Sequence, residues 1–195
     1  MSILTEGFPQ TVCIDGKDYA VNTDFRIWIR FSEILEDPAM SAPEKAQKIL
    51  LLCYPETLPP SFLQAIEGLL WFYGCGKENK KGHKNKTNQR KKPVFDFAAD
   101  AALIYSAFWQ EYGIDLANAG LHWWQFWSLF SGLGENTRLM KVIGYRSAEL
   151  SQIADKNQKR FYREMKALYR LPDRRSNAQR EEDFTQQLAL LFEEG

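Results

Sequence analysis

Apolar positions recur at helical spacing through most of this chain and at strand spacing only near its start. Thr11-Val-Cys-Ile14 and Tyr19-Ala-Val21 flank Asp15-Gly16-Lys17-Asp18, where Asp-Gly supplies the positive φ of a tight hairpin turn. Two short strands are marginal alone, so this hairpin must lie on helices. Over residues 24–35, Phe25, Trp28, Phe31 and Leu35 recur at helical spacing, and Ile27, Ile29 and Ile34 widen the stripe. A helix buried on more than half its circumference follows. Ser41-Ala-Pro43-Glu44 has the serine, first-turn proline and glutamate of a helix start. That helix must stop at Tyr54, because Pro55 follows. Pro59-Pro60-Ser61 opens another over 62–73, closed by Gly74-Cys75-Gly76.

Residues 77–92 (KENKKGHKNKTNQRKK) contain no apolar side chain; they cannot pack, and the pattern predicts a mobile linker or exposed loop. Beyond them Asp96 caps a predicted helix over 97–112, with Phe97, Ala101, Ile104 and Phe108 on one face and Gly113 after its end. A turn over 114–120 leads to a helix over 121–133, where Trp123, Phe126, Trp127 and Phe130 stand at i, i+3, i+4 and i+7. Another helix starts near Thr137 and meets Gly144, where a kink or break is expected. Ser147 then caps a long helix ending before Pro172. At about 100° per residue, Leu150, Ile153, Ala154, Phe161, Met165 and Leu168 share one side of it. Lys156, Lys159, Arg160, Arg163, Lys166 and Arg170 share the other. A last helix over 177–194 presents Phe184, Leu188 and Leu191 and ends acidic. The predicted fold is mainly α: a hairpin and three helices in 1–76, a basic linker at 77–92, and an aromatic-rich helical bundle in 93–195.

Charge changes this picture locally rather than globally. The 25 basic and 25 acidic residues cancel, so the whole chain points to no partner. Residues 77–92, however, carry a net +7 and residues 138–180 a net +8, against −5 for each of the three remaining segments. Linker charge could meet nucleic acid through phosphates, but no aromatic is interleaved to stack on bases. A solvated tether is the plainer reading. The basic side of the 147–170 helix is the sharper interaction signal, fitted to an acidic protein surface. Cys13, Cys53 and Cys75 have no close spacing and read as buried free thiols of a reducing compartment. Met1 to Gln10 lacks the basic and apolar regions of a signal peptide. The longest apolar run, near Leu69, falls far short of the roughly 20 residues of a membrane span. A soluble, cytosolic protein without membrane contact is expected.

Catalysis has little support in the residues. His83 lies in the basic segment and His122 opens a helix beside tryptophans. Neither has a nearby carboxylate in a recognisable motif. Asp96 and Asp100 share a helix face, but capping and the helix dipole account for both. No metal, cofactor or enzymatic activity is expected. Trp123, Trp124 and Trp127 could form a contact platform; at this spacing they read first as core, with Trp124 directed away from the stripe toward another segment or a partner.

The hairpin followed by Asn22-Thr-Asp24-Phe25-Arg26 resembles the start of the bacteriophage gene-product-fifteen family, found in long-tailed phages and prophages of Gram-positive bacteria. Similar too are Tyr54-Pro55, Phe95-Asp96-Phe97 with Asp100, and Ile104-Tyr-Ser-Ala-Phe108. Tyr112-Gly-Ile-Asp-Leu116, Leu121-His-Trp-Trp-Gln-Phe126 and Tyr145-Arg146 complete the match, which spans nearly the whole chain. The resemblance implies a phage tail morphogenesis protein without enzymatic residues. It implies a tail assembly chaperone that binds the tape measure protein while tail-tube subunits polymerise, acts in the host cytoplasm and is absent from the finished virion. A minor structural component of tail or neck is the alternative, and a nucleic-acid-binding module a weaker one. The surfaces expected to meet the tape measure, tail-tube subunits or sister copies are Trp123, Trp124 and Trp127, and the basic row Lys156, Lys159, Arg160, Arg163, Lys166 and Arg170.

Overall fold

A helix leaves its first N–H groups without partners, and polar side chains at its entry can satisfy them. Six such entries are built this way here, from Asp24, Ser41, Ser61, His122, Thr137 and Asp155. The computed structural model describes residues 3–77 and 93–173. Among them lie β1 (Thr11–Ile14), β2 (Lys17–Ala20), α1 (Phe25–Glu36), α2 (Ala42–Cys53), α3 (Phe62–Tyr73), α4 (Ala101–Tyr112), α5 (Trp123–Ser131), α6 (Arg138–Ser147) and α7 (Lys156–Leu168). A short 3-10 turn, Leu150–Gln152, precedes α7. The mainly α architecture with an N-terminal hairpin agrees with the expectation from sequence.

β1 and β2 pair antiparallel with Thr11 opposite Ala20 and Ile14 opposite Lys17. Asp15 and Gly16, at φ 51° and 75°, form the two-residue turn. The ladder therefore takes in Lys17 and Asp18, which the residue pattern assigned to the turn. The hairpin rests on α3: a Cβ on Gly68 would sit 3.3 Å from Val12 and from the Tyr54 hydroxyl.

Besides α5, which is two residues shorter at each end than the expected 121–133, four readings differ from the periodicity. The 97–112 helix begins only at Ala101. Asp96 instead accepts from the N–H groups of Ala98 and Ala99 at 2.9 and 2.8 Å, closing a turn before the helix. Gly144 breaks nothing, and α6 continues through it to Ser147. A glycine there costs about 1 kcal/mol relative to alanine, too little to stop a packed helix. Ser147 ends α6 rather than opening the next helix, and its hydroxyl donates to the Gly144 carbonyl. Asp155 is the cap actually used, accepting from Gln158 N–H at 2.7 Å. The single 147–170 helix is thus a helix end, a 3-10 turn and α7. The linker expected over 77–92, Lys77 apart, and the helix expected over 177–194 lie outside the described residues.

One core unites both expected lobes. Val12, Phe25, Trp28, Phe31, Ile49, Leu69, Phe72, Phe108, Trp123 and Phe126 all belong to the same buried cluster. Trp28 lies at its centre, fully buried, stacked 4.7 Å from Phe72 and 6.4 Å from Trp123. Phe25 stacks on Phe126 at 4.8 Å, and Phe126 on Phe108 at 5.1 Å. Each indole N–H in this cluster reaches a main-chain carbonyl: Trp28 to Asn22, Trp123 to Tyr73, and Trp124 to Phe72. Burying tryptophan is costly without such a partner.

Candidate interaction surface

Two polar joints hold the helices around the core. At the first, a short bridge pairs Asp24 with His122. Phe25 N–H donates to the Leu121 carbonyl and Trp123 N–H to that of Thr23, at 3.0 and 2.7 Å. Arg26 donates to Asp24 and to the carbonyls of Leu116 and Ala117, at 2.9 and 3.0 Å for the two carbonyls. His122 caps α5 through Nδ1, which accepts from Trp124 N–H at 3.0 Å, while Nε2 lies 2.8 Å from the Pro9 carbonyl. A carbonyl can only accept, so Nε2 carries the proton and the ring is neutral. Burial holds its pKa below the usual histidine value, against a smaller upward push from the bond to Pro9. His122 is therefore a structural cap, satisfied on both nitrogens.

At the second joint Arg146, on α6, grips Asp100 with two bonds of 2.6 and 2.9 Å. The pair is almost fully buried, with side chains 10% and 2% exposed. Arg146 also donates to the carbonyls of Val94 and Tyr169, and Asp100 accepts from Asp96 N–H at 3.0 Å. This one guanidinium thus fastens the entry of α4, the stretch of chain after residue 92 and the end of α7. The pairing was not foreseen from sequence, which assigned Asp100 to the helix dipole; residues 46 apart carry no periodic signal. The stretches that carry the family resemblance, including Asp24–Arg26, Tyr112–Leu116, Asp100 and Tyr145-Arg146, supply both joints.

Among the described residues no group of three or more His, Cys, Asp or Glu side chains is placed to hold a metal ion. Burial pushes the thiols of Cys53 and Cys75 up to about 12 and about 11, which favours their protonated form. Cys13, expected to be buried with them, is exposed on the hairpin. A cavity of about 370 Å³ lies between hairpin and α3, lined by Val12, Cys13, Asp15, Gln64, Glu67 and Trp71 among others. Asp15 accepts from Gln64 Nε2 at 2.7 Å across it.

The structure divides the sequence-predicted contact residues. Trp123 and Trp124 are 1% and 6% exposed. The segment toward which Trp124 points is the end of α3, where its ring packs on Trp71 and Phe72. Gly76 approaches it so closely that a Cβ there would lie 2.9 Å from Trp124 Cη2. Trp127 is half-buried, stacked 5.4 Å from Phe130. These three indoles build the core and its edge, and a partner meeting the folded chain would touch Trp127 alone of them.

α7 departs further from expectation, and in an instructive way. None of its residues is buried. Its half-buried positions are Lys159, Tyr162, Met165 and Lys166, followed by Tyr169, a stripe at i, i+3, i+6, i+7 and i+10. Tyr145 of α6 meets Phe161, Tyr162 and Tyr169 at 5.8, 6.0 and 6.0 Å, and Lys166 Nζ donates to the Ala148 carbonyl. The helix is rotated so that Lys159 and Lys166 lie along the body, while Phe161 and Leu168 stand 44% and 68% exposed. Both rows are split: Leu150, Ile153 and Met165 of the row read as core are half-buried, as Lys159 and Lys166 of the basic row are, while Phe161 and Leu168 face outward. The Lys166 bond to the Ala148 carbonyl fits this rotation, since a long lysine stem can lie along apolar surface while its ammonium group finds an acceptor. Lys156, Arg160, Arg163 and Arg170 remain exposed. α7 carries five basic residues and one acid, so it presents an apolar stripe within a field of net +4. Other exposed apolar groups are Leu51, Leu58, Phe62 and Leu63 near the α2–α3 corner, and the stacked Tyr105–Trp109 pair on α4.

A hairpin-bearing helical scaffold, with an aromatic core, two polar joints and one amphipathic helix lying half off the body, is the class of protein these features define. The chain belongs to the bacteriophage Gp15 protein family: the sequence model of that family, described as Bacteriophage Gp15 protein, matches residues 4–171. No curated protein and no solved structure matched the chain. Among the described residues no helix is long and apolar enough to cross a membrane.

Proposed function

We propose that this phage protein acts in tail morphogenesis as an assembly chaperone that holds the tape measure protein, making and breaking no covalent bond itself. The observation that carries this reading is α7, a helix that leaves Phe161 and Leu168 in solvent on the same element as the exposed Lys156, Arg160 and Arg163. A tape measure is a long helical chain that cannot bury its own apolar face, and helix-on-helix contact is the mode by which such a face is covered. Binding of this kind must be reversible, which suits several modest contacts better than one large interface. Under this reading the protein works in the host cytoplasm, with tail-tube subunits displacing it, and leaves the finished particle. Co-expression with a tape measure fragment is the test. The fragment stays soluble and co-purifies if the proposal is correct; a fragment that stays insoluble beside an abundance of this protein counts against it. Mass spectrometry of purified virions separates the structural alternative, since a tail or neck component remains in the particle. A nucleic-acid binder would instead retard DNA in a salt-dependent way that deletion of 77–92 abolishes.

A further inference from the structure

The hairpin has an edge that its own second strand leaves open. Hydrogen-bonded pairs alternate outward from a two-residue turn, so Ile14–Lys17 and Val12–Tyr19 are such pairs. The Val21 N–H to Gln10 carbonyl bond, at 3.0 Å, carries the alternation one step further. The main-chain groups of Thr11 and Cys13 therefore point away from β2, and they have no partner among the described residues. The cavity of about 370 Å³ adjoins this strand, with residues 12–15 on one side and Gln64, Glu67, Gly68 and Trp71 of α3 on the other. Its lining holds two acids, Asp15 and Glu67, and no basic side chain. Gln64 donates through Nε2 to Asp15, while its Oε1 is buried with no partner. A buried acceptor that lacks a donor is uncommon in a folded protein and calls for an explanation.

We propose that β1 accepts an extended segment of another protein as a third strand, with a basic side chain of that segment beside Asp15. Main-chain bonds supply the affinity in this mode, and pockets for alternate side chains supply the selectivity. Antiparallel addition would pair the N–H and C=O of both Thr11 and Cys13. Side chains alternate along a strand, so the added residues opposite Val12 and Ile14 fall on the α3 side, where the cavity can take them. The free edge is short, and side-chain fit therefore decides which segment binds. Charge selects against a second copy: β1 reads Thr-Val-Cys-Ile, and pairing edge to edge brings no base to Asp15. This surface is separate from α7, so the inference and the tail-assembly reading can fail independently.

The probe is a capped peptide of alternating valine and lysine, titrated into isotope-labelled full-length protein and followed by NMR. Strand addition predicts that the Thr11 and Cys13 amide signals and the Trp71 indole signal move together, with α5 and α7 unmoved. Hydrogen exchange at Thr11 and Cys13 should slow as the peptide binds. A peptide methylated on its main-chain nitrogens keeps the side chains but loses the donors, and should bind about tenfold more weakly. Cys13→Pro should weaken binding to a similar degree. It removes an outward N–H and no bond of the hairpin, and proline is tolerated on an edge strand; unchanged exchange over α1, α3 and α5 controls for folding. Asp15→Asn suits the positive φ of the turn and keeps an acceptor for Gln64. It should weaken binding about threefold and reduce its salt dependence. Equal affinity for the methylated peptide, signal changes centred away from β1, or no binding at millimolar peptide overturns the proposal. So does slow exchange at Thr11 and Cys13 in the free protein that is lost on dilution, which assigns the edge to a second copy.

Discussion

In α5, Trp123, Phe126 and Phe130 stand at i, i+3 and i+7, and all three are buried. In α7, Phe161 and Leu168 stand at i and i+7 and remain 44% and 68% exposed. The same spacing therefore leads to opposite outcomes. The difference lies in the neighbours. α5 is held at its entry by the Asp24–His122 bridge and the Thr23 and Leu121 main-chain bonds, and α1, α3 and α4 supply aromatic rings around it. Among the described residues α7 is held along one side, by Tyr145, Arg146 and the Ala148 carbonyl. Amphipathic spacing specifies that a helix has an apolar face; the surrounding elements decide whether that face is filled from within the chain.

The sharpest way to break this contrast is to truncate a side chain in each region. Trp28→Ala should cost about 3–5 kcal/mol, the usual range for deleting a fully buried aromatic, and denaturant unfolding will show it as a collapse of the midpoint. Leu168→Ala should change stability by less than about 0.5 kcal/mol, as surface substitutions do. Comparable losses at both positions would mean that α7 is core after all.

Next in size comes the second joint. Arg146→Ala leaves Asp100 buried without its partner and should cost about 3–5 kcal/mol. The double variant Arg146→Met with Asp100→Leu should recover part of that, because it removes the stranded charge. Exchange should rise at both ends of the linkage, near Val94 and in α7, while the Trp28 neighbourhood stays protected. Uniform loss across the chain would show that the joint supports the core rather than fastening α7 to it.

His122 supplies a pH test of the first joint. Its folded-state pKa lies below the ordinary histidine value because burial disfavours the charged ring. Stability from the neutral ring is fully present above the unfolded value of about 6.5 and is lost as pH falls from there through the lowered folded value. Protonation also removes the lone pair that Nδ1 offers Trp124 N–H. His122→Asn keeps an acceptor at the cap and should flatten the stability profile between about pH 7 and pH 5. A profile as steep as the parent's would place the titration elsewhere.

The smallest expected effect is a gain. Gly144 lies exposed inside α6, and a Cβ added there would meet nothing within 4 Å, so Gly144→Ala should stabilise by about 0.5–1 kcal/mol. A thermal midpoint raised by a few degrees will check it.

Much of this architecture is legible in the residues. The hairpin turn at Asp15-Gly16, the capping box at Ser41 and Glu44, and the α3 boundaries at Ser61 and Gly74 are local signals with local causes. Failures came where a distant partner decides. Asp100 reads as a helix-start acid until Arg146 claims it from 46 residues away, and α4 starts only at Ala101, after the turn that Asp96 closes. Ser147 reads as a cap, but it ends α6, and Asp155 opens α7 instead. Which side of α7 faces the body followed from carbonyl acceptors such as that of Ala148, and main-chain acceptors leave no mark in a hydropathy pattern. The expected rows on α7 are therefore each divided, with Phe161 and Leu168 exposed and Lys159 and Lys166 half-buried.

Hydrogen exchange of the full-length protein with and without a tape measure fragment tests the central claim, that the core is a scaffold and α7 its working surface. The account predicts that the fragment protects residues 156–168, with the aromatic core unchanged. Protection confined to the α2–α3 corner or to the Tyr105–Trp109 pair, with α7 unaffected, would contradict it.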